Sequence, residues 1–178
     1  GDILKNLEGK TDLYKLKKNY FERLKKTLLL FNEKFHNPIQ ISLHPTSDIS
    51  EYKEYFSEFE VIQFKTEELT FNASLVLFHE SSAVTKAIML KKNIISLETE
   101  IFGDYIKKRI RWYQKELNLP SVSIDNITEL SKEKILKESI ESISKYDKYI
   151  NRNLKSDDEE NSSEKIYRII KEHTLKKI

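Results

Sequence analysis

Five short apolar runs, each followed by a segment with helical spacing, constrain this chain more than any other feature. They lie at 39–43, 61–64, 74–78, 94–97 and 121–124, and their β-branched content, brevity and polar flanks predict strands. The intervening segments read as helices. From about 11 to 36, Leu13, Leu16, Tyr20, Leu24, Leu28, Phe31 and Phe35 recur at three- and four-residue steps, and Asn37-Pro38 ends the run. Ser47 or Asp48 is placed to cap a short helix through Tyr52, Tyr55 and Phe56, and Thr66 to cap another through Glu67, Glu68 and Leu69. A helix after Ser81 carries Val84, Ala87, Ile88 and Leu90 and stops at Lys91-Lys92-Asn93. Phe102-Gly103-Asp104 opens a longer one through Ile106, Ile110, Tyr113 and Leu117, which Pro120 closes. Strands alternating with helices over short connections predict a doubly wound α/β domain, its mostly parallel sheet covered on both faces. The pattern leaves strand order open.

The remainder is helical and more polar. Leu136, Ile140, Ile143 and Ile150 outline one face of a helix from about 129 to 150, and Ile166, Ile169 and Ile170 outline a last one. The acidic stretch at about 155–163 between them is too poor in apolar residues to pack and reads as a solvated linker. The chain thus divides into an N-terminal helical segment at 1–36, the α/β domain at 37–128 and C-terminal helices at 129–178. No internal repeat is visible. Among 178 residues, 31 are basic and 29 acidic, so a dominant nucleic-acid surface is not expected. Cysteine is absent, which excludes disulfide and thiolate chemistry and fits a reducing compartment. No signal peptide or bilayer-spanning run is visible, and the domain is expected to be soluble. The chain opens with Gly1-Asp2 rather than methionine, so it is expected to be a piece of a longer protein.

Ligands of open parallel sheets bind where loops leave the carboxyl ends of the strands. Here those loops are His44-Pro45, Lys65-Thr66, His79-Glu80-Ser81-Ser82, Glu98-Thr99 and Asp125-Asn126. Imidazole, ammonium and hydroxyl groups at helix starts are the donors that an anionic leaving phosphate needs. Ser81 and Ser82 are expected to begin a helix whose first N–H groups point at that phosphate, and Glu98 or Thr99 to meet a ribose. Each position also has a plainer reading: His44 as a strand terminus, the serines as simple caps, His36 and His173 as surface residues. His44, His79 and Glu80 lack further ligands at metal-like spacing, so no metal is expected. A hydrolase nucleophile elbow at Ser81 or Ser82 is disfavoured by its bulky neighbours His79, Glu80 and Val84. The cluster Lys107-Lys108-Arg109-Arg111 beside Trp112 and Tyr113 either meets an acidic glycan or membrane headgroups, or is the solvated face of an amphipathic helix.

The pattern 72–83, Asn-Ala-Ser-Leu-Val-Leu-Phe-His-Glu-Ser-Ser-Ala, followed by Ala87-Ile88 and Lys92-Asn93-Ile94-Ile95, resembles the donor-binding half of GT-B glycosyltransferases, a Rossmann-like domain. His44-Pro45 after one strand and Ser81-Ser82 after a later one is similar to bacterial sialyltransferases and polysialyltransferases; transferases using CMP-Kdo or CDP-glycerol carry related turns. The likeness covers roughly 36–125. It implies that His44 contacts or protonates the leaving phosphate and that Ser81 and Ser82 bind it; Pro45, Lys65, Thr66, His79, Glu80, Glu98 and Thr99, from their place on the same sheet edge, are expected to be available for further nucleotide or ribose contacts. It implies a CMP-sugar as substrate, no metal or other cofactor, a glycan acceptor of capsule or lipooligosaccharide type, and a cytoplasmic setting with peripheral association at the inner membrane. Lys86 stands where many GT-B enzymes have a ribose-binding glutamate, so no ribose ligand is carried over there. The general base would belong to the other, N-terminal GT-B half. Rival expectations are a CDP-glycerol-type polyol phosphate transferase, a sugar-nucleotide epimerase, and, from another class, a non-catalytic nucleotide-binding or oligomerisation module.

Overall fold

The computed structural model describes residues 13–154. The predicted last helix, the linker at 155–163 and His173 lie outside them. The elements run α1 (Leu13–Phe35), β1 (Gln40–Leu43), α2 (Ile49–Tyr55), β2 (Glu60–Gln63), α3 (Thr66–Asn72), β3 (Leu75–Phe78), α4 (Val84–Met89), β4 (Asn93–Glu98), α5 (Asp104–Leu117), β5 (Ser121–Ser123) and α6 (Lys132–Asn153). The chain divides into two compact units, the first ending at Tyr146 and the second beginning at Asp147, within α6. All that follows concerns the first.

The fold is α/β and Rossmann-like, though small, and each strand pairing is parallel as the alternating pattern predicts. The expected single sheet is instead divided in two, with orders β1-β2 and β3-β4-β5. β4 is the central strand of the larger sheet, and Ile94, Ile95, Ser96 and Leu97 are all buried on it. Pleating sends alternate side chains to opposite faces. Ile95 and Leu97 join Tyr20, Phe21, Leu28 and Phe31 of α1 in one buried cluster, together with their cross-strand neighbours Leu77 and Val122. On the opposite face Ser96 accepts a hydrogen bond from Gln114 Nε2 of α5 at 2.6 Å, and its neighbour Phe78 meets Tyr113 edge-on at 5.9 Å. Leu43 of β1 and Val61 of β2 belong to the same cluster as α1, so both sheets share one core.

Local signals account for most boundaries. Asp48 caps α2, its carboxylate accepting from the N–H groups of Ser50 and Glu51. α5 ends at Asn118 in the left-handed conformation, φ 53, so a cap residue and not Pro120 closes it. The expected face of α6 is corrected in part. Leu136 packs against the core as expected, but Ile140 is 60% exposed, and the buried positions in this unit are Ile135, Ser139, Ser142 and Tyr146, at steps of four and three. Serine serves there because its hydroxyl reaches backbone: Ser142 Oγ donates to the carbonyl of Asn118 at 2.6 Å and Ser139 Oγ to that of Leu136 at 3.0 Å. A hydrophobicity pattern passes over small polar residues that pack in this way. Truncation measures the corrected face directly: Ile135→Ala is expected to cost about 2–4 kcal/mol in chemical denaturation, and Ile140→Ala to stay within about 0.5 kcal/mol.

Candidate functional site

The chain turns immediately after β1. The N–H of Ser47 donates to the carbonyl of His44 at 3.0 Å. His44 Nδ1 lies 2.8 Å from Thr46 Oγ1 and 3.3 Å from Thr46 N. A backbone N–H can only donate, so Nδ1 is the accepting nitrogen and the ring proton sits on Nε2. His44 and Pro45 are both exposed. Gln63, the last residue of β2, secures the turn from the other side, its Nε2 donating to the carbonyls of His44 at 3.2 Å and Ser47 at 2.7 Å. Thr66 does not cap α3 as expected. Lys65 holds the N-cap position without a side-chain cap bond, while Thr66 Oγ1 lies 2.7 Å from Ser42 Oγ on β1. The Lys65 ammonium pairs with Glu68 at 3.6 Å.

Phe64 is also displaced from its expected place inside a strand. It stands between β2 and α3 with φ 63 and a side chain 76% exposed. Left-handed backbone costs an ordinary L-residue roughly 1–2 kcal/mol. The residues on either side are anchored, Gln63 to the carbonyls of His44 and Ser47 and Thr66 to Ser42.

The turn after β3 separates two residues that the sequence places together. His79 points into the protein, its ring 5.6 Å from that of Tyr20 and 5.1 Å from that of Phe102. Its Nδ1–H donates to the Leu97 carbonyl at 3.0 Å, and Nε2 is sealed from solvent without a partner, although part of the side chain still reaches water. His79 is thus packed between Tyr20 and Phe102 and bonded to the Leu97 carbonyl, which leaves little of it for the nucleotide contact expected of it. Glu80 is engaged with Arg109 of α5 at 2.8 Å. Ser81 and Ser82 are exposed, as a ligand would require. They precede α4 by a tight turn, so the expected free helix N–H groups are already used: those of Val84, Thr85 and Lys86 donate to the carbonyls of Ser81, Ser82 and Ala83. Ser81 Oγ accepts from the Ala83 N–H at 3.2 Å, and the Ser82 hydroxyl makes no hydrogen bond among the described residues. No hydrogen bond joins His44 to either serine. The two turns are linked through the start of α3, where Thr66 meets Ser42 and Glu67 pairs with Lys86 of α4 at 3.3 Å.

At the ends of β4 and β5 the expected ribose ligands are committed to structure. Glu98 is the last residue of β4, and its carboxylate accepts from Gln114 Nε2. Thr99, only 4% exposed, donates to Asp125 Oδ1 at 2.7 Å. Asp125 also accepts from Arg23 of α1 at 2.6 Å and from the Glu100 N–H at 2.8 Å. Burial acts to raise its pKa, but these three donors outweigh it and hold the carboxyl below its ordinary value. The cleft beside it, lined by Glu98, Thr99, Lys107, Arg111 and Ser123, holds about 40 Å³. That is room for a water-sized group, far below the roughly 300 Å³ or more of a small-molecule pocket.

A larger concavity of about 330 Å³ lies on α5, lined by Tyr105, Lys108, Arg109, Trp112 and Tyr113. Ile106, Ile110, Tyr113 and Leu117 are buried, as expected for an amphipathic helix, while Tyr105 and Trp112 are exposed. The Arg109 guanidinium lies 5.8 Å from the Tyr105 ring. Among the described residues no three histidine, aspartate or glutamate side chains converge to hold a metal ion, and no helix is long and apolar enough to cross a membrane. Neither a protein-family model, nor a curated protein, nor a solved structure matches this chain.

The buried imidazole has a pH signature. Burial lowers the His79 pKa from 6.5 to about 4, against the opposing hydrogen bond to Leu97. Between those values the unfolded chain binds a proton that the folded chain refuses. Stability from this residue is therefore full above the unfolded value and is lost as pH falls from 6.5 toward 4, at up to about 1.4 kcal/mol per pH unit. Denaturation curves across this range should show a shallower pH dependence for His79→Phe than for the parent; parallel curves would contradict a buried neutral imidazole.

Proposed function

We propose that this chain is the donor-binding half of a GT-B-type glycosyltransferase that transfers sialic acid or a related sugar from a CMP-sugar to a bacterial capsule or lipooligosaccharide acceptor. The observation that carries the reading is a pair of exposed polar turns, each leaving the carboxyl end of a parallel strand: His44-Pro45 after β1 and Ser81-Ser82 after β3. The bond between the anomeric carbon and the phosphate oxygen breaks, and the departing CMP takes up the electron pair. His44, with its proton on Nε2, and the free hydroxyl of Ser82 are suited to stabilise that charge. The acceptor hydroxyl must surrender its proton to a base, which this reading assigns to the missing half. The concavity on α5 supports an acidic glycan as acceptor, since aromatic walls stand beside the Lys108 ammonium, with Arg109 itself paired to Glu80. Peripheral residence at the cytoplasmic membrane face belongs to the same proposal.

A serine hydrolase gains no support from the turn. Neither serine is hydrogen-bonded to a histidine among the described residues, and the neighbouring His79 is turned into the core. CDP-linked donors would use the same two turns. Calorimetric titration of CMP, CDP, UDP and ADP decides between these: a cytidine nucleotide is expected to bind best. His44→Ala, and Ser81→Ala combined with Ser82→Ala, should each weaken it about tenfold while lowering the unfolding midpoint by no more than a few degrees. Absence of binding to all four nucleotides would remove the proposal.

A further inference from the structure

Phe64 differs from the other non-glycine residues of positive φ among the described residues. His36 follows α1, Lys91 follows α4 and Asn118 caps α5, so all three terminate helices, where a left-handed residue is the ordinary solution. Phe64 follows a strand and precedes a helix. No capping need accounts for its φ of 63. On either side of it, Gln63 Nε2 bonds the carbonyls of His44 and Ser47, and Thr66 Oγ1 meets Ser42. These contacts tie β1, β2 and the start of α3 together around Phe64.

The ring is also unused by the fold. Other exposed aromatics have neighbours: Phe71 lies 5.8 Å from the Lys92 ammonium, Tyr105 lies 5.8 Å from the Arg109 guanidinium, and Trp112 meets Tyr113 at 4.9 Å. Phe64 has no ring or cation partner among the described residues and is 76% exposed, the highest value of the exposed large hydrophobic side chains. Strained backbone that the surrounding structure imposes concentrates at ligand clamps. An apolar ring held in water beside a polar turn gains most from a flat partner that is itself attached to something polar.

We propose that Phe64 is the stacking platform for the nucleobase of a nucleoside phosphate whose phosphate lies at the His44 turn. The ring is carried by the residue next to His44's own anchor, since Gln63 bonds the His44 carbonyl. Two residues beyond Phe64, the Thr66 hydroxyl pairs with that of Ser42 at 2.7 Å, and such hydroxyls suit the polar edge of a base or a ribose. Stacking tolerates any base, so this residue supplies affinity and leaves base selection to its polar neighbours.

The proposal rests on the nucleotide-binding reading above, and the test separates the two. CMP and inorganic phosphate are titrated against the full chain and against Phe64→Leu and Phe64→Trp. Phe64→Leu keeps an apolar side chain but removes the π face; it should weaken CMP about tenfold and leave phosphate binding unchanged. It should also abolish the upfield ring-current shift of the base protons seen with the parent, and Phe64→Trp should retain both affinity and shift. Phe64→Gly relieves the left-handed backbone and should raise the unfolding midpoint by a few degrees while weakening CMP. If the parent binds CMP and Phe64→Leu binds it equally, or loses phosphate in parallel, the stacking role is overturned and the nucleotide site stands. If the parent binds no nucleotide, both fall together.

Discussion

The structure depends on one strand being closed to water on both faces. Four consecutive residues of β4, Ile94 to Leu97, are buried, and a polar backbone in such a place must have each N–H and C=O paired. Parallel neighbours on each side provide this, β3 through the register Leu77↔Ile95 and β5 through Leu97↔Val122. α1 and α5 then cover the two faces. Ser96, the one polar residue of the four, shows how strict the requirement is: its hydroxyl is fully buried and is met by Gln114.

Burial of β4 also determines where polar chemistry is available. At its carboxyl end, Asp125 collects Arg23, Thr99 and the Glu100 N–H, joining α1, the loop after β4 and the loop after β5. A carboxylate with three donors is stable in a half-buried position, and it leaves little for a ligand. Solvent-facing polar groups outside that cluster include His44, Ser81 and Ser82, which with Phe64 lie in the turns that follow β1, β3 and β2. The candidate site is therefore displaced from the centre of the larger sheet toward the edge where the two small sheets approach each other through α3.

Much of this was legible beforehand, and the misses have physical causes. The apolar periodicities located the five strands and six described helices to within a few residues. Asp48 was readable as a cap because capping is a contact between near neighbours. The turns that hold His44, Ser81 and Ser82 were placed after β1 and β3 because strand ends are marked locally. Glu98 and Thr99 were misread as free ligands since their partners, Gln114 and Asp125, stand 16 and 26 residues further on. The α6 face was misread because Ser139 and Ser142 pack through hydroxyls that a hydropathy pattern counts as exposed. Phe64 went unnoticed because an apolar residue after Val-Ile-Gln reads as one more strand position.

The sequence by itself determined the order and kind of the elements, the Asp48 cap of α2, the absence of cysteine chemistry and the near-balance of charge. Those properties arise from covalent order and from neighbours within a turn or two. Only the tertiary structure decided that the sheet divides, that His79 turns inward while Ser81 and Ser82 remain outside, and that Phe64 leaves β2 in a left-handed conformation. Each of these rests on partners far apart in the chain. Arg23 and Asp125 stand 102 residues apart, and Gln63 reaches Ser47 across 16. Such pairs have no periodicity to betray them, because their energy exists only once the chain has closed around both ends.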